Sequence, residues 1–284
     1  MVSPSRRTPA PESSSRSNNW RCWDRLADWY DGWVGPTGSE HHRKLALPAA
    51  LELLRPRAGE RILDVGAGQG VLAPAIVQGG ARYVGVEMSP RLLRHARRHR
   101  GRLGKFVRAD ARCLWQCPSL GPGSFDGVVF LLSIQDMDPL TDVLRSAAWA
   151  LRPGGRLVMV MTHPCFRVPR QSGWGWDEDR RLVYRRVDSY LTSRSVPLTP
   201  QPLKRRRQVV WSFHRPLQEY VNGLSCQGLL VERIEELATH SHNPDSAGRA
   251  KAHRLADREI PLFLGLKAVK LAETEAGKEQ VNRR

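Results

Sequence analysis

A glycine-rich turn after a short apolar run is the first part of this sequence that predicts chemistry. The segment reads Ile62-Leu-Asp64-Val-Gly66-Ala-Gly68-Gln-Gly70. Glycines at such a turn let the backbone bend tightly and let a ligand approach where a Cβ would block it. The helix expected after the turn directs its positive end toward an anionic group, either a pyrophosphate or a carboxylate.

The spacing of the glycines favours one kind of ligand over another. Dinucleotide-binding turns are typically G-x-G-x-x-G, whereas these glycines alternate as G-x-G-x-G and follow Asp64. A carboxylate repels a pyrophosphate but attracts an ammonium group. A second apolar run, Val84-Gly-Val-Glu87, also ends in an acid, placed where it can accept both hydroxyls of a ribose. The alternative for Glu87 is a solvated acid in front of a helix cap.

With these elements in order, the chain resembles the class I S-adenosylmethionine-dependent methyltransferases, of the small-molecule type, over about residues 40–161. Three further segments carry the resemblance: Phe106-Val-Arg-Ala-Asp110-Ala111, Phe125-Asp-Gly-Val-Val-Phe-Leu-Leu132-Ser133 and Leu151-Arg-Pro-Gly-Gly155. The resemblance implies S-adenosylmethionine as cofactor, no metal, and an enzyme that transfers methyl groups. The cofactor-binding residues that it implies are Tyr30, Asp64, Gly66, Ala67, Gly68, Gly70, Glu87, Met88, Asp110, Ala111, Leu132 and Ser133.

Within that set, the resemblance assigns each part of the donor to a segment. Asp64 and the glycines would hold the methionine end, and Glu87 the ribose. Asp110 would contact the adenine amino group, and Tyr30 would belong to a segment that covers the cofactor.

Three histidines are candidates for the base that removes a proton from the acceptor. Methyl transfer depends mainly on the alignment of donor and acceptor, and histidine titrates near neutral pH. His163 follows the predicted fifth strand, His41 begins a helix in front of the sheet, and His214 lies at the end of an inserted segment. The alternatives are a hydrogen-bonded residue in a hinge for His163 and a surface residue for His41.

Aromatic residues are candidates for the walls of an acceptor pocket. The predicted substrate-binding residues are Trp29, His42, Trp174, Trp176, Tyr184 and Trp211. Together they favour a small aromatic acceptor such as an indole or phenol, although ordinary packing explains any one of them. The histidines and the aromatic segment slightly favour transfer to carbon over nitrogen or oxygen.

Other chemistries remain open. The net charge of +17 and the arginines between Arg91 and Arg108, with Lys204 to Arg207, permit an RNA methyltransferase, although 38 of the 45 basic residues are arginine, a skew typical of coding bias. A dinucleotide-dependent oxidoreductase is the third alternative. Cys165 after Pro164 permits a nucleophilic cysteine. The five cysteines lack the spacing of a zinc site or a disulfide framework.

The elements that must position these residues form a Rossmann-like, doubly wound α/β fold. Short apolar runs alternate with amphipathic helices, which predicts a mostly parallel seven-stranded sheet with an N-terminal helical segment and a lid insertion. Strands are predicted at 61–65, 83–87, 105–109, 125–132, 156–161, 229–237 and 261–270, with β-leaning segments at 182–190 and 208–213. Helices are predicted at 22–33, from Ser39 to Leu54 with a kink at Pro48, and at 70–79, 89–101, 139–151 and 216–227.

The predicted organisation has six parts. These are a disordered tail over 1–18, a helical cap over 19–56, the cofactor-binding core over 57–161, an inserted lid over 162–214, the rest of the sheet over 215–272 and a disordered tail over 273–284. No apolar run reaches the length of a membrane span, so we predict a cytoplasmic protein. Its partner is a small-molecule acceptor rather than nucleic acid or membrane, and it is a monomer or homo-oligomer.

Overall fold

The structure is a computed structural model that describes residues 19–199, 209–239 and 249–272. The strands are β1 Arg61–Val65, β2 Arg82–Glu87, β3 Gly104–Arg108, β4 Phe125–Leu131, β5 Leu151–Thr162, β6 Ser172–Asp177, β7 Leu182–Val187, β8 Arg194–Leu198, β9 Val210–His214, β10 Leu229–Leu237 and β11 Phe263–Lys270. The helices are α1 Asn19–Val34, α2 Leu47–Leu54, α3 Ala73–Gln78, α4 Pro90–Arg100, α5 Leu140–Ala150, α6 Leu217–Ser225 and α7 Ala250–Glu259.

Seven strands form the central sheet, in the order β10–β11–β5–β4–β1–β2–β3. The pairs among β1 to β5 are parallel, and β11 is antiparallel to both β5 and β10. The inner strands are apolar on both faces, as a sheet covered by helices on both sides requires, and Ile62, Leu63 and Val128 are fully buried. The predicted α/β class and mostly parallel seven-stranded sheet are confirmed.

The local signals that predicted helix ends act as expected at α4. The Ser89 side chain accepts a hydrogen bond from Leu92 N at 3.2 Å, and Pro90 occupies the first helical turn. From Glu40 to Leu54 the chain is helical without a break, as predicted, and a π-helical turn at His42–Ala46 precedes Pro48. Because proline has no N–H to donate, the regular α-helix begins again around Pro48, in the first turn of α2.

After β5 the chain leaves the sheet and forms two antiparallel ribbons, β6–β7 and β8–β9. The sequence predicted β7 and β9 but missed their partners, because Ser172–Asp177 and Arg194–Leu198 contain glycine or proline, which are rare in strands. Helix α7 was also missed.

The predicted tails at 1–18 and 273–284 and the Lys204 to Arg207 cluster lie outside the described residues. No helix in the described ranges is long and apolar enough to cross a bilayer.

Candidate functional site

A cavity of about 540 Å³ opens at the carboxyl ends of the parallel strands, beside the glycine turn. Open α/β sheets bind ligands at this edge, and small-molecule sites usually measure roughly 300–1,000 Å³. Its wall combines residues of the sheet edge with residues of α1 and of the β8–β9 ribbon. Predicted cofactor residues in the wall are Tyr30, Gly66, Gly68, Glu87, Met88, Asp110, Ala111, Leu132 and Ser133.

The glycine turn forms the floor of this cavity because its backbone is left-handed at alternate positions. Gly66, Gly68 and Gly70 have φ of 74°, 55° and 78°. A Cβ on Gly66 would lie 2.6 Å from Met137 Cε, and one on Gly70 would lie 2.7 Å from Phe106 Cε1. The alternating glycines are therefore required both by backbone conformation and by close packing.

Asp64 lies directly behind the glycine turn and does not line the cavity. It is 2% exposed, and Oδ2 accepts a hydrogen bond of 2.7 Å from Tyr83 Oη. Its Oδ1 is buried with no hydrogen-bond partner among the described residues. Burial raises the pKa of Asp64 to about 7. Ala67 and Gly70, also predicted as cofactor residues, support the turn and do not face the cavity.

Glu87 lies at the end of β2, with its carboxylate beside the glycine turn. Oε2 accepts from Gly68 N at 3.0 Å, and Oε1 accepts from Ser89 N at 2.8 Å. Burial raises the pKa of Glu87, and these backbone donors offset part of that rise because they stabilise the charged form. Each oxygen thus has one backbone donor and one further acceptor position for a ligand hydroxyl.

Asp110 follows β3 and is held by a residue that the sequence did not suggest. Arg112 donates from Nε to Oδ1 at 3.0 Å and from Nη2 to Oδ2 at 2.6 Å. Burial alone raises the pKa of Asp110, but the hydrogen bonds from Arg112 outweigh it and the pKa lies below its usual value. Asp110 is therefore an ionised acceptor on the cavity wall, and Arg112 lines the wall beside it.

Helix α1 covers the cavity and contributes most of its aromatic wall. Tyr30 approaches Gly68, where a Cβ would be 3.6 Å from Tyr30 Cε1, and Trp23 meets Tyr30 edge-on with centroids 5.4 Å apart. Other α1 residues in the wall are Asn19, Trp20 and Trp33. Sequence reasoning predicted the aromatic face of α1 but selected Trp29, which instead stacks on Trp33 at 5.8 Å and packs against Leu26 and Val210.

Asp136 is the most notable cavity residue that sequence reasoning missed. It ends the 3-10 turn Ile134–Asp136 that follows β4, and its side chain lines the cavity. Burial raises its pKa to about 8, and no described side chain donates a hydrogen bond that would offset this rise. An acid in the first turn after the fourth strand was the available signal. The sequence alone did not show that this side chain faces the cavity.

Two of the three predicted bases lie away from the cavity. His163 is 1% exposed, donates from Nε2 to Glu236 Oε1 at 2.8 Å, and accepts from Cys165 N at Nδ1 at 3.2 Å. His214 is also buried and donates to Tyr190 O at 2.7 Å. The His163 ring is bonded to β10 of the sheet, and the His214 ring is bonded to another part of the inserted segment. Neither residue lines the cavity, so its geometry gives no support to the prediction that they act as bases.

The other two histidines do line the cavity. His41 is exposed and meets Phe263 edge-on at 5.9 Å. His42, predicted to bind substrate, is 5% exposed and has Nδ1 2.8 Å from Ser39 Oγ. Burial lowers the pKa of His42 to about 4, so its ring is neutral at physiological pH.

The remaining predicted substrate residues do not reach the cavity. Trp174 packs between Arg167 and Arg185, with guanidinium-to-ring distances of 4.9 and 5.2 Å, and is 40% exposed. In the same ribbon, Trp176 packs against Arg249 and Tyr184 is exposed.

Trp211 of β9 is buried, and its backbone N–H donates to Asn19 Oδ1 at 2.9 Å. From the inserted ribbons, the wall instead receives Leu198, Val210 and Ser212. Of the two ribbons, β8–β9 therefore contributes to the cavity wall, because the β6–β7 hairpin packs against arginines and near α7.

The other candidate chemistries receive no geometric support at the cavity. Cys165 lies outside the wall, with Sγ 3.4 Å from Tyr190 Oη. In the arginine cluster, Arg100 is 5% exposed and donates to Gln69 O at 2.8 Å, and Arg97 donates to Phe106 O at 2.9 Å. Arg100 is therefore used in internal packing, and Arg97, although exposed, is bonded to β3.

Comparison with known proteins agrees with the geometry. Residues 63–159 match the family model of the methyltransferase domain. The chain is 31% identical over 157 residues to a ubiquinone biosynthesis O-methyltransferase of Xanthomonas campestris pv. campestris, an alignment that covers 53% of this chain and 64% of that protein. A protein of the same name from Xanthomonas euvesicatoria is 30% identical, with 48% and 58% covered. This chain thus spans about three fifths of the length of these curated relatives.

Solved structures match a larger part of the chain. An S-adenosylmethionine-dependent methyltransferase from Mesorhizobium loti has 26% identity and a TM-score of 0.60, covering 78% of this chain and 96% of that one. A 1,6-didemethyltoxoflavin-N1-methyltransferase from Burkholderia thailandensis shares the fold at 16% identity and a TM-score of 0.55, covering 96% and 94%. Residues 63–159 therefore match a methyltransferase domain, and the fold around them is similar to that of an S-adenosylmethionine-dependent methyltransferase of known structure.

Proposed function

We propose that this protein transfers a methyl group from S-adenosylmethionine to a hydroxyl or amino group of a small aromatic molecule. The proposal rests on one observation: a single cavity joins the glycine turn, Glu87 and Asp110 with an aromatic wall and the unpaired carboxyl of Asp136. The first set suits the donor, and the second suits an acceptor that must lose a proton.

The described residues fit S-adenosylmethionine by their chemistry. Glu87 retains acceptor positions for the ribose hydroxyls, and the ionised Asp110 can accept from the adenine amino group. The buried Asp64 Oδ1, which has no described partner, supports a cationic group near the glycine turn. When bound, S-adenosylmethionine would supply an electrophilic methyl group on its sulfonium.

Asp136 is the base in this proposal. A carboxyl whose pKa lies near the working pH removes a proton efficiently. A substantial fraction of it is deprotonated, and the deprotonated form is a stronger base than an ordinary carboxylate. Helix α1 and the β8–β9 ribbon would keep water from the reacting atoms, and the aromatic wall would orient a flat acceptor.

Transfer to oxygen or nitrogen replaces the preference for carbon that the sequence suggested. That preference rested on the three candidate histidines and on the aromatic inserted segment. His163, His214 and the aromatic residues of the β6–β7 hairpin lie away from the cavity, whereas His41 lines it. A carboxylate base serves an acceptor with an acidic proton. The curated relatives are named as O-methyltransferases, which supports the same choice.

The proposal is tested first by ligand binding. S-adenosylhomocysteine should raise the thermal unfolding midpoint of the purified chain, and NAD should not, because only a ligand of the native state stabilises it. Glu87→Gln should weaken that binding by about tenfold to a hundredfold, the cost of one charged hydrogen bond. Exposed Glu232→Gln on β10 serves as the matched control and should bind normally.

A second measurement identifies the acceptor. A small-molecule extract incubated with the protein and S-adenosylmethionine should show a metabolite that gains one methyl group. Stabilisation by NAD alone, or no binding of either donor form, would refute the proposal.

A further inference from the structure

Helices α1 and α4 lie side by side and carry a ladder of facing polar groups on the outside of the cavity. Asp24 Oδ1 accepts from Ser89 Oγ at 2.7 Å and from Arg91 N at 2.9 Å, at the beginning of α4. Farther along, Asp28 and Asp31 of α1 face the imidazoles of α4. The spacing of four and three residues places all three acids on one face of α1.

Asp31, His95 and His99 bring three metal-binding groups together at the end of this ladder. Each offers one ligand atom, and these atoms lie within 4.8 Å of one another. His95 and His99 are one helical turn apart, and their rings are nearly parallel, with 13° between planes. The side chains are 19% to 32% exposed, so an ion can reach them while the two helices hold them in place.

The distances match those of a coordinated ion. Asp31 Oδ2 lies 3.3 Å from His95 Nδ1, and Asp31 Oδ1 lies 3.2 Å from His99 Nε2. Two ligand atoms on a tetrahedral zinc ion are about 3.4 Å apart, given zinc–nitrogen and zinc–oxygen distances near 2.1 Å. Two of the three ligand pairs therefore already have the separation of such an ion's ligands, and all three ligand atoms lie within 4.8 Å of one another.

The orientation of His95 is an independent indication. Its Nε2 lies 3.0 Å from Asp28 Oδ1, so the Nε2–H donates to that carboxylate. Its Nδ1 lies 3.3 Å from Asp31 Oδ2, so the two nitrogens of this ring are directed at two different carboxylates. Metal-binding histidines commonly donate their other N–H to a carboxylate in this way.

We propose that Asp31, His95 and His99 bind a divalent transition metal of the zinc class, with Asp28 orienting His95. Nitrogen and carboxylate ligands in this number suit zinc, with water completing the coordination. The ion would fasten α1, which carries Trp23 and Tyr30 over the cavity, to α4 of the core. This site is separate from the cavity and takes no part in methyl transfer.

The test is a titration of the metal-stripped full chain with Zn²⁺, followed by calorimetry. We expect one zinc ion per chain at this site and a higher thermal unfolding midpoint with zinc, because the ion binds only the folded arrangement. His99→Gln and Asp31→Asn should each abolish both effects. Asp28→Asn should weaken zinc binding by about tenfold to a hundredfold, the usual effect of losing an orienting carboxylate.

His253→Gln on α7 is the matched control, since it removes a histidine on a different helix and should leave zinc binding unchanged. Failure of the unaltered chain to bind zinc would mean that the cluster is only an ion-pair network between helices. Zinc binding that survives both His99→Gln and Asp31→Asn would place the ion elsewhere. Either result would overturn the proposal.

Discussion

The carboxyl of Asp136 faces the cavity although its charged form is disfavoured there, because burial raises its pKa to about 8. Burial raises the pKa values of Tyr30 in α1 and Tyr220 in α6, and the negative charge of Asp136 adds to both rises. A group that is costly to ionise and has no described donor contributes little to stability. Its position is better explained by a chemical role at the cavity.

Asp136→Asn should reduce the rate of methyl transfer by about a hundredfold to ten-thousandfold, the range for loss of a general base. The rate of the unaltered enzyme should rise with pH through about 8, as the carboxyl loses its proton, and the variant should lack this rise. Initial rates across a pH series measure both effects. Asp142→Asn, an exposed acid of α5, should keep the full pH profile.

The same substitution should stabilise the fold, and the effect should depend on pH. The pKa of Asp136 is higher in the folded than in the unfolded chain, so the stability linked to its proton is lost as pH rises from about 4 to about 8. Asparagine carries no charge and avoids that loss. Denaturant unfolding should therefore show a gain for the variant that grows over this pH interval. A gain independent of pH would contradict the raised pKa.

At the scale of elements, the turn between β1 and α3 forms the cavity floor, and one substitution in this turn tests that role. Gly66→Ala places a Cβ 2.6 Å from Met137 Cε and 2.7 Å from Ser133 Cβ, in a backbone with φ of 74°. The turn and the segment after β4 must move apart, which alters the cavity floor. We expect loss of most S-adenosylhomocysteine binding, measured by calorimetry.

Gly59→Ala separates backbone strain from this clash. Gly59 has φ of 83°, and a Cβ there meets nothing within 4 Å. This variant should lose about 1–2 kcal/mol of stability, the cost of a left-handed non-glycine residue, and should retain ligand binding. Equal binding losses in the two variants would show that strain, not contact with Met137 and Ser133, explains the effect.

At the scale of the whole molecule, the charge of +17 predicts attraction to any polyanion. Three arginines of α4 have partners, since Arg100 and Arg97 bind backbone carbonyls and Arg91 pairs with Asp28, whereas Arg94 and Arg98 are exposed. We therefore expect weak RNA binding that falls by about tenfold or more between roughly 50 and 200 mM salt. Methylated nucleosides should not appear when RNA is supplied with S-adenosylmethionine, and their appearance would favour RNA as substrate.

The sequence by itself determined the central sheet and the side of the cavity formed by the glycine turn and the strand-end acids. Strand β1 and the turn after it follow from local rules, because apolar runs, alternating glycines and strand-end acids act within a few residues. Glu87 and Asp110 therefore reached the cavity wall as expected. The beginning of α4 was also predicted from neighbouring residues, because the Ser89 side chain caps the helix through a hydrogen bond three residues away.

The tertiary structure alone decided which aromatic residues line the other side of the cavity. Whether Trp174 or Trp23 faces the cavity depends on how a ribbon or a helix packs against residues far away in the chain, and no local pattern encodes that direction. Asn19 illustrates how far apart in the chain these residues are. Its side chain donates to both Trp211 O and Asp136 O, and so joins α1 to β9 and to the turn after β4. Composition could suggest an aromatic pocket, but only long-range packing selected the residues that form it.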